Sequence, residues 1–323
     1  MAATDLSEFG VTDAQVSHAA ALLRAGKLVA FPTETVYGLG ANALDPTAVE
    51  SIYDAKGRPH SSPIILHISD LAIMTEVVAD WPEAAQKLAD KFWPGPLTLV
   101  LPKTAAVPDL VTAGLATVGV RMPSHPVALA LLTAAGVPIA APSANRFTEV
   151  SPTTAEHVRR SLGDRVDYIL DGGPCPVGIE STVLTLTEPT PVLLRPGGIS
   201  RQQIEEVIGP VASADEPRLG ETHASPGLHP RHYSPRTRLY LIENGEVPEQ
   251  GSGAYLQLSH APQGAMTEIV RMPHEPAGYA SRLYDVLHQL DSKGLDWIAV
   301  DTPPNHPEWE AVLDRLKRAV FRC

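Results

Sequence analysis

Two short clusters carry residue types and spacings that could do chemistry. In AKGRPHSSPIILHI (55–68), Lys56 and Arg58 stand two apart where a helical pattern stops, and in APSANRF (141–147) Ser143 and Asn145 repeat that spacing just past an apolar strand. Gly57 and Pro59 break the helix, and Pro142 pushes Ala141 out of helical geometry. In extended backbone, residues i and i+2 point to one side, so each pair can converge on one spot. A lysine point charge beside an arginine fork suits a polyphosphate or a carboxylate. The local alternatives are cations complementing a helix dipole and an Asx or Ser turn satisfying its own backbone. Arg121 and Arg195, each ending an apolar run, are the next anion ligands, ahead of Arg146, and Thr33, Glu34 and Thr35 supply polar groups at another strand end. Strand ends of α/β sheets are where ligands bind.

The elements that must position these residues are legible from punctuation. VTDAQVSHAAALLRAGK reads as a helix with Thr12 and Gln15 at capping-box spacing and a Val11–Val16 staple. In DPTAVESIYDAKG, Asp45 is the N-cap, Pro46 the first helical residue and Gly57 the stop. Thr153 and Glu156 are expected to cap a further helix. LVAFPTE, PIILHI, LTLVLP, ATVGVRMP, VPIAAPSAN, DYILDGG, STVLTLT and PVLLRPG read as strands, the later ones in direct succession. Helices that alternate with strands, followed by strands in succession, predict a mixed α/β sheet rather than a purely parallel doubly wound fold. From Gly209 to Pro235 the periodicity dissolves into proline and glycine, and a segment of that length is disordered or functional. A smaller α/β unit follows, with strands at RLYLIEN, AYLQLS and WIAVD and helices at 277–293 and WEAVLDRLKRAV. The expected division is 1–208, a connector at 209–236, and 237–323.

Composition bounds the function. A chain of 323 residues exceeds what one core usually supports, and a formal charge of -12 disfavours broad attraction to nucleic acid or anionic lipid. Any anionic ligand must therefore meet a local basic cluster, and stable direct nucleic-acid binding is not expected. Cys175 and Cys323 form no CxxC and no disulfide framework, which fits a reducing cytoplasm, and no export signal or membrane span is read. The run Gly38-Leu39-Gly40-Ala41-Asn42-Ala43 matches a dinucleotide fingerprint in form only, because the next helix starts at Asp45-Pro46 after the match has ended. His223, His229 and His232 fit no standard metal spacing, so no metal ligands are assigned.

Taken in order, FPTETVYGLGANA, AKGRPHSSPIILHI, WPGPLTLVL, VGVRMPSHP, APSANRF, GIESTVL, LLRPG and HYSP resemble the Sua5/YrdC family of L-threonylcarbamoyladenylate synthases, in the long Sua5 form. The resemblance is dense from about residue 10 to 235. It implies a YrdC-like twisted mixed sheet with flanking helices and a smaller Rossmann-like Sua5 domain. It also implies a reaction in which L-threonine, bicarbonate and ATP with Mg2+ give threonylcarbamoyl-AMP and pyrophosphate. The product would pass to the complex that transfers threonylcarbamoyl to tRNA. Carried over by position, Lys56, Arg58, Ser143 and Asn145 are the catalytic set. His60, Thr117, Ser151, Arg195 and Tyr233 join Lys56, Arg58 and Ser143 on the nucleotide side. Thr33, His67, Arg121, Ala141 and Ser181 stand on the threonine side, and the segment around His232 and Tyr233 is a lid. The readings set against this one are an RNA-binding module, a dinucleotide oxidoreductase and another carbamoyl or adenylyl transferase.

Overall fold

The computed structural model describes residues 6–214 and 232–320. His223, His229, Cys323 and most of the expected connector lie outside the described residues. The first unit opens with α1 (Asp13–Arg24), β1 (Val29–Phe31), β2 (Gly38–Asn42), α2 (Pro46–Lys56) and β3 (Leu66–His67). It continues through α3 (Met74–Val77), α4 (Glu83–Phe92), β4 (Leu97–Pro102), α5 (Asp109–Thr112), β5 (Thr117–Arg121), α6 (Pro126–Ala135) and β6 (Ile139–Ala140). It closes with α7 (Ala155–Leu162), β7 (Tyr168–Ile169), β8 (Thr182–Thr185), β9 (Val192–Arg195), α8 (Arg201–Ile208) and β10 (Ala212–Ser213). The strands form one mixed sheet of ten, ordered β10-β9-β8-β4-β5-β3-β6-β2-β1-β7.

Alternation along the short strands explains the layers. Val29 and Phe31 face the helices α1 and α6, while Ala30 between them faces the core built with Val49 and Ile52 of α2. All three helices named from capping signals form. Thr12 and Gln15 close a reciprocal capping box, and the Asp45 carboxylate accepts the N–H groups of Thr47 and Ala48. The cap of α7 sits one residue later than the sequence pattern suggests, at Thr154, because Thr153 turns inward to His157.

Several elements escaped the reading. The GLGAN segment is strand β2, not a phosphate loop, and a Cβ on Gly40 would lie 2.9 Å from the Phe31 ring and 3.0 Å from Ile139. Those glycines serve sheet packing, which removes the dinucleotide reading. Helix α8 carries a Ser200–Gln203 capping box that was legible but unread, and β10 continues the first sheet into the expected connector by pairing with β9.

The second unit has four parallel strands, β11 (Arg238–Ile242), β12 (Gly253–Gln257), β13 (Glu268–Arg271) and β14 (Trp297–Asp301), ordered β11-β14-β12-β13. Helices α9 (Pro276–Asp291) and α10 (Glu310–Ala319) cover it. The two units share a core: Val36, Val150, Ile179 and Tyr233 pack in one cluster with Tyr279, Leu283 and Leu287 of α9 and Leu316 of α10. Gly178 permits this docking. Its φ is +78°, and a Cβ there would stand 2.6 Å from the Ala280 carbonyl oxygen of α9.

Candidate active site

Gly57, at φ +63°, ends α2 and turns the chain so that Lys56 and Arg58 both enter the protein. They are 3% and 7% exposed. A helix dipole contributes roughly 0.3–1 kcal/mol to a surface cation, whereas burying a charge costs several kcal/mol. Dipole complementation therefore cannot account for the pair. Lys56 Nζ donates to the Ser143 carbonyl at 2.6 Å and to the Asn145 carbonyl, tying the end of α2 to the Ser-Ala-Asn loop. Burial, followed by the neighbouring Arg58, pushes its pKa well down, against the pull of Glu149. The Arg58 guanidinium donates to the Pro63 carbonyl at 2.8 Å, lies 5.9 Å from the Phe147 ring centroid, and is lowered by burial to about 10, so it is charged at neutral pH. Arg58 reaches the cavity; Lys56 holds its wall.

A second group gathers at the ends of β3 and β5. Parallel pairing sets His67 opposite Arg121. Arg121 donates to Thr35 Oγ1 at 2.9 Å and to the Gly95 carbonyl at 3.2 Å, and its Nη2 lies 2.7 Å from Glu34 Oε1. That ion pair is close but misaligned, since neither atom has a well-directed hydrogen bond. Glu34 is itself fixed by the Ser124 N–H at 3.1 Å. Burial, then Arg121, keeps His67 neutral by lowering its pKa well below the usual range, and its Nδ1 has no partner among the described residues.

A third group stands on β8 and β9. Arg195 donates Nε and Nη2 to the Ser181 carbonyl at 3.1 and 3.0 Å, and Nη2 also reaches the Ser181 hydroxyl at 3.2 Å. Tyr233 closes over this group with φ 60°, 1% exposed, its hydroxyl unpartnered among the described residues and its pKa raised by burial. Cys175 lies instead beside the second group, near Thr33, Glu34 and Arg121, its N–H on the Thr153 carbonyl at 3.0 Å and its thiol pKa raised by burial.

Of the residues picked out in the sequence, Thr33, Arg58, His67, Arg121, Ala141, Ser143, Ser181, Arg195 and Tyr233 line one cavity of about 50 Å³. Lys56 and Asn145 sit directly behind it, Asn145 donating its amide to the Arg146 and Glu149 carbonyls while its Oδ1 stays unpartnered among the described residues. Ser151 stands behind Glu180, to which its hydroxyl donates at 2.5 Å. Three positions lie apart. Thr117 opens β5, four residues or about 13 Å from Arg121 along the strand. His60 is exposed in a turn, 3.0 Å from Glu50. Arg146 is tied to the Ser161 carbonyl at 3.1 Å, away from the lining residues. Thr35, read as a strand-end polar group, and His232, read as part of a lid, line the cavity too, whereas sequence reasoning missed Glu180. Glu180 had a signal, being the one acid in GIESTVL.

No group of three or more His, Cys, Asp or Glu side chains among the described residues could hold a metal ion. The two carboxylates nearest the cavity, Glu34 and Glu180, are committed to Arg121 and Arg315. A protein-built Mg2+ site does not fit these residues. No helix among the described residues is long and apolar enough to cross a membrane.

Comparison with known proteins places this geometry. Residues 21–197 match the Sua5/YciO/YrdC family, described as "Telomere recombination", and residues 199–320 match the C-terminal domain of threonylcarbamoyl-AMP synthase. The threonylcarbamoyl-AMP synthase of Bacillus subtilis is 43% identical over 97% of this chain and 94% of its own length. The crystal structure of Pyrococcus abyssi Sua5 complexed with L-threonine superposes with a TM-score of 0.86 at 38% identity, covering 96% of each chain. A form of that protein with an adjacent histidine and tyrosine replaced by alanine gives 0.87 at 38% identity, over 96% of this chain and 95% of that one. The chain thus belongs, over both of its units, to the Sua5-type threonylcarbamoyl-AMP synthases, whose product serves threonylcarbamoyladenosine modification of tRNA.

Proposed function

We propose that the cavity at the ends of β3, β5, β8 and β9 is where threonine, bicarbonate and ATP are joined into threonylcarbamoyl-AMP and pyrophosphate. One observation carries this reading: in a chain of charge -12, the guanidinium groups of Arg58, Arg121 and Arg195 converge on one buried cavity beside polar atoms that have no partner among the described residues. The product contains AMP, so a nucleoside triphosphate is the natural adenylyl donor and pyrophosphate its leaving group.

The threonine amine first becomes a carbamate, and a carbamate oxygen then attacks the α-phosphorus in line with departing pyrophosphate. Little covalent work falls to the protein; it positions anions and neutralises charge. Arg121, held by Glu34 and Thr35, faces the threonine carboxylate, and neutral His67 offers Nδ1 to the amine. Arg58 and Arg195 face the phosphates as preorganised donors in a water-poor pocket. Lys56 keeps Ser143 and Asn145 in register through its two carbonyl contacts.

A cavity of about 50 Å³ holds a few waters, while pockets for drug-sized ligands run to roughly 300–1,000 Å³. Tyr233, buried on the cavity wall, closes over it, so the geometry must open to admit ATP. On that basis the segment His232 to Pro235 acts as a lid that shelters the water-sensitive carbamate and mixed anhydride. The test is pyrophosphate release with ATP, threonine and labelled bicarbonate. Release should require all three and yield a labelled adenylate; release that persists without threonine, or with no labelled adenylate, sinks the reading.

A further inference from the structure

The second unit reaches into this site through one side chain. Arg315 of α10 has no exposed side-chain surface, and its Nε lies 2.8 Å from Glu180 Oε2. The same guanidinium donates to the Glu180 carbonyl at 3.4 Å and to the Pro196 carbonyl at 2.9 Å, and it sits 5.3 Å from the centroid of the Tyr233 ring. Glu180 and Pro196 bracket Ser181 and Arg195, the two residues bonded to one another on the cavity wall. Glu180 lines that cavity. Its remaining contacts are the Ser151 hydroxyl at 2.5 Å and the Tyr284 hydroxyl of α9 at 3.0 Å.

We propose that Arg315 is a positioning residue of the synthase site, cancelling the Glu180 carboxylate at the edge of the phosphate pocket and holding Ser181 and Arg195 in place. The inference rests on the assignment of ATP to this cavity. Ser151 is a neutral partner, so without Arg315 the buried carboxylate would turn to Arg195 and would repel a triphosphate. The second unit is then part of the machinery that binds nucleotide, although no residue of it need touch the substrate.

The experiment compares KM for ATP, KM for threonine and kcat in Arg315→Met, Arg315→Lys, Glu180→Gln and the Glu180→Gln/Arg315→Met double variant, with Tm measured for each. Arg315→Met should raise the KM for ATP at least about tenfold and change the KM for threonine less than about threefold. Arg315→Lys should fall between it and the parent. Once Glu180 is neutral, adding Arg315→Met should shift the KM for ATP by less than about threefold, because no charge is left unpaired. A folded Arg315→Met with an ATP KM within about twofold of the parent overturns the proposal. So does an equal loss on both Glu180 backgrounds; if Arg315→Met alone does not fold, a more than about threefold rise in the ATP KM from Glu180→Gln to the double variant overturns it instead. Arg58→Ala separates the two ideas: if it leaves ATP binding unchanged, the cavity is not the ATP site, whereas a loss there with a silent Arg315→Met refutes only the role of Arg315.

Discussion

Two strand-end regions in this chain each bury a carboxylate, and they differ in what is left unsatisfied. At the end of β14, Asp301 accepts the N–H groups of Leu258, Ser259 and His260 at 3.1, 2.6 and 2.7 Å, and His260 Nδ1 lies 2.8 Å from its other oxygen. Those bonds hold its carboxyl below the usual range even though burial opposes them. Both oxygens of this carboxylate are used. Around the cavity of the first unit, by contrast, His67 Nδ1, Asn145 Oδ1 and Tyr233 Oη have no partner among the described residues, and the Glu34–Arg121 contact is misaligned. A protein normally satisfies its buried polar atoms, so a saturated carboxylate marks architecture and an unsatisfied cluster marks a place kept for a ligand.

The contrast can be broken most forcefully at Arg58. Arg58→Ala is expected to lower kcat/KM about 10²–10³-fold, the scale of one lost donor at a developing charge, with Tm little changed. A loss below about threefold would mean that the phosphates lie elsewhere. Lys56→Ala should cost at least about tenfold in turnover, more than 1.36 kcal/mol of barrier, by freeing the Ser143–Asn145 loop, and parent-like kinetics would reduce Lys56 to a dispensable tether. The second region should answer in the opposite currency. Asp301→Asn is expected to remove roughly 1–3 kcal/mol of stability in a denaturant titration while leaving kcat and both KM values unchanged. Altered ATP kinetics there would erase the distinction between the two strand ends.

The smallest effect should come from the crevice between the units, where the rings of His157 and His288 stack with centroids 3.9 Å apart. Burial lowers His157 to about 3, ahead of repulsion from His288 and Arg160, and burial also lowers His288. Both are therefore neutral in the folded protein, whereas the unfolded chain takes up protons once pH falls below about 6.5. Because the unfolded state binds more protons, this contribution is complete above pH 6.5 and is lost progressively as pH falls toward 3. His157→Gln should flatten the decline of Tm between pH 7 and pH 5 relative to the parent. Parallel curves would show that the stack carries no pH dependence.

Much of the scaffold was legible because it obeys local rules. Thr12, Asp45 and Gly57 announce helix ends through hydrogen bonds within a few residues of themselves. Strand β2 was not legible: its glycines are chosen by Phe31 and Ile139, which are distant in sequence or on another strand. Edge strand β13 alternates half-buried with exposed residues over only four positions, too short a run to stand out. Among the candidate site residues, arginines at the ends of apolar runs pointed correctly to the cavity wall. Lys56 and Arg58 are both buried as their spacing suggested, yet they divide the labour, one on backbone carbonyls and one on the cavity. That division depends on where the 143–145 loop lies in space, as does the pairing of Glu180 with a side chain 135 residues away.

The concealed thiol of Cys175 offers a clock for this architecture. It is 3% exposed and raised in pKa chiefly by burial, so alkylating reagents meet neither surface nor thiolate while the packing around Thr33 and Glu34 stays closed. With Cys323 replaced by serine, the rate at which Cys175 is labelled would time each excursion that parts the cavity wall at Thr33 and Arg121. Bound nucleotide should then slow the reagent in proportion to how firmly it holds that wall closed.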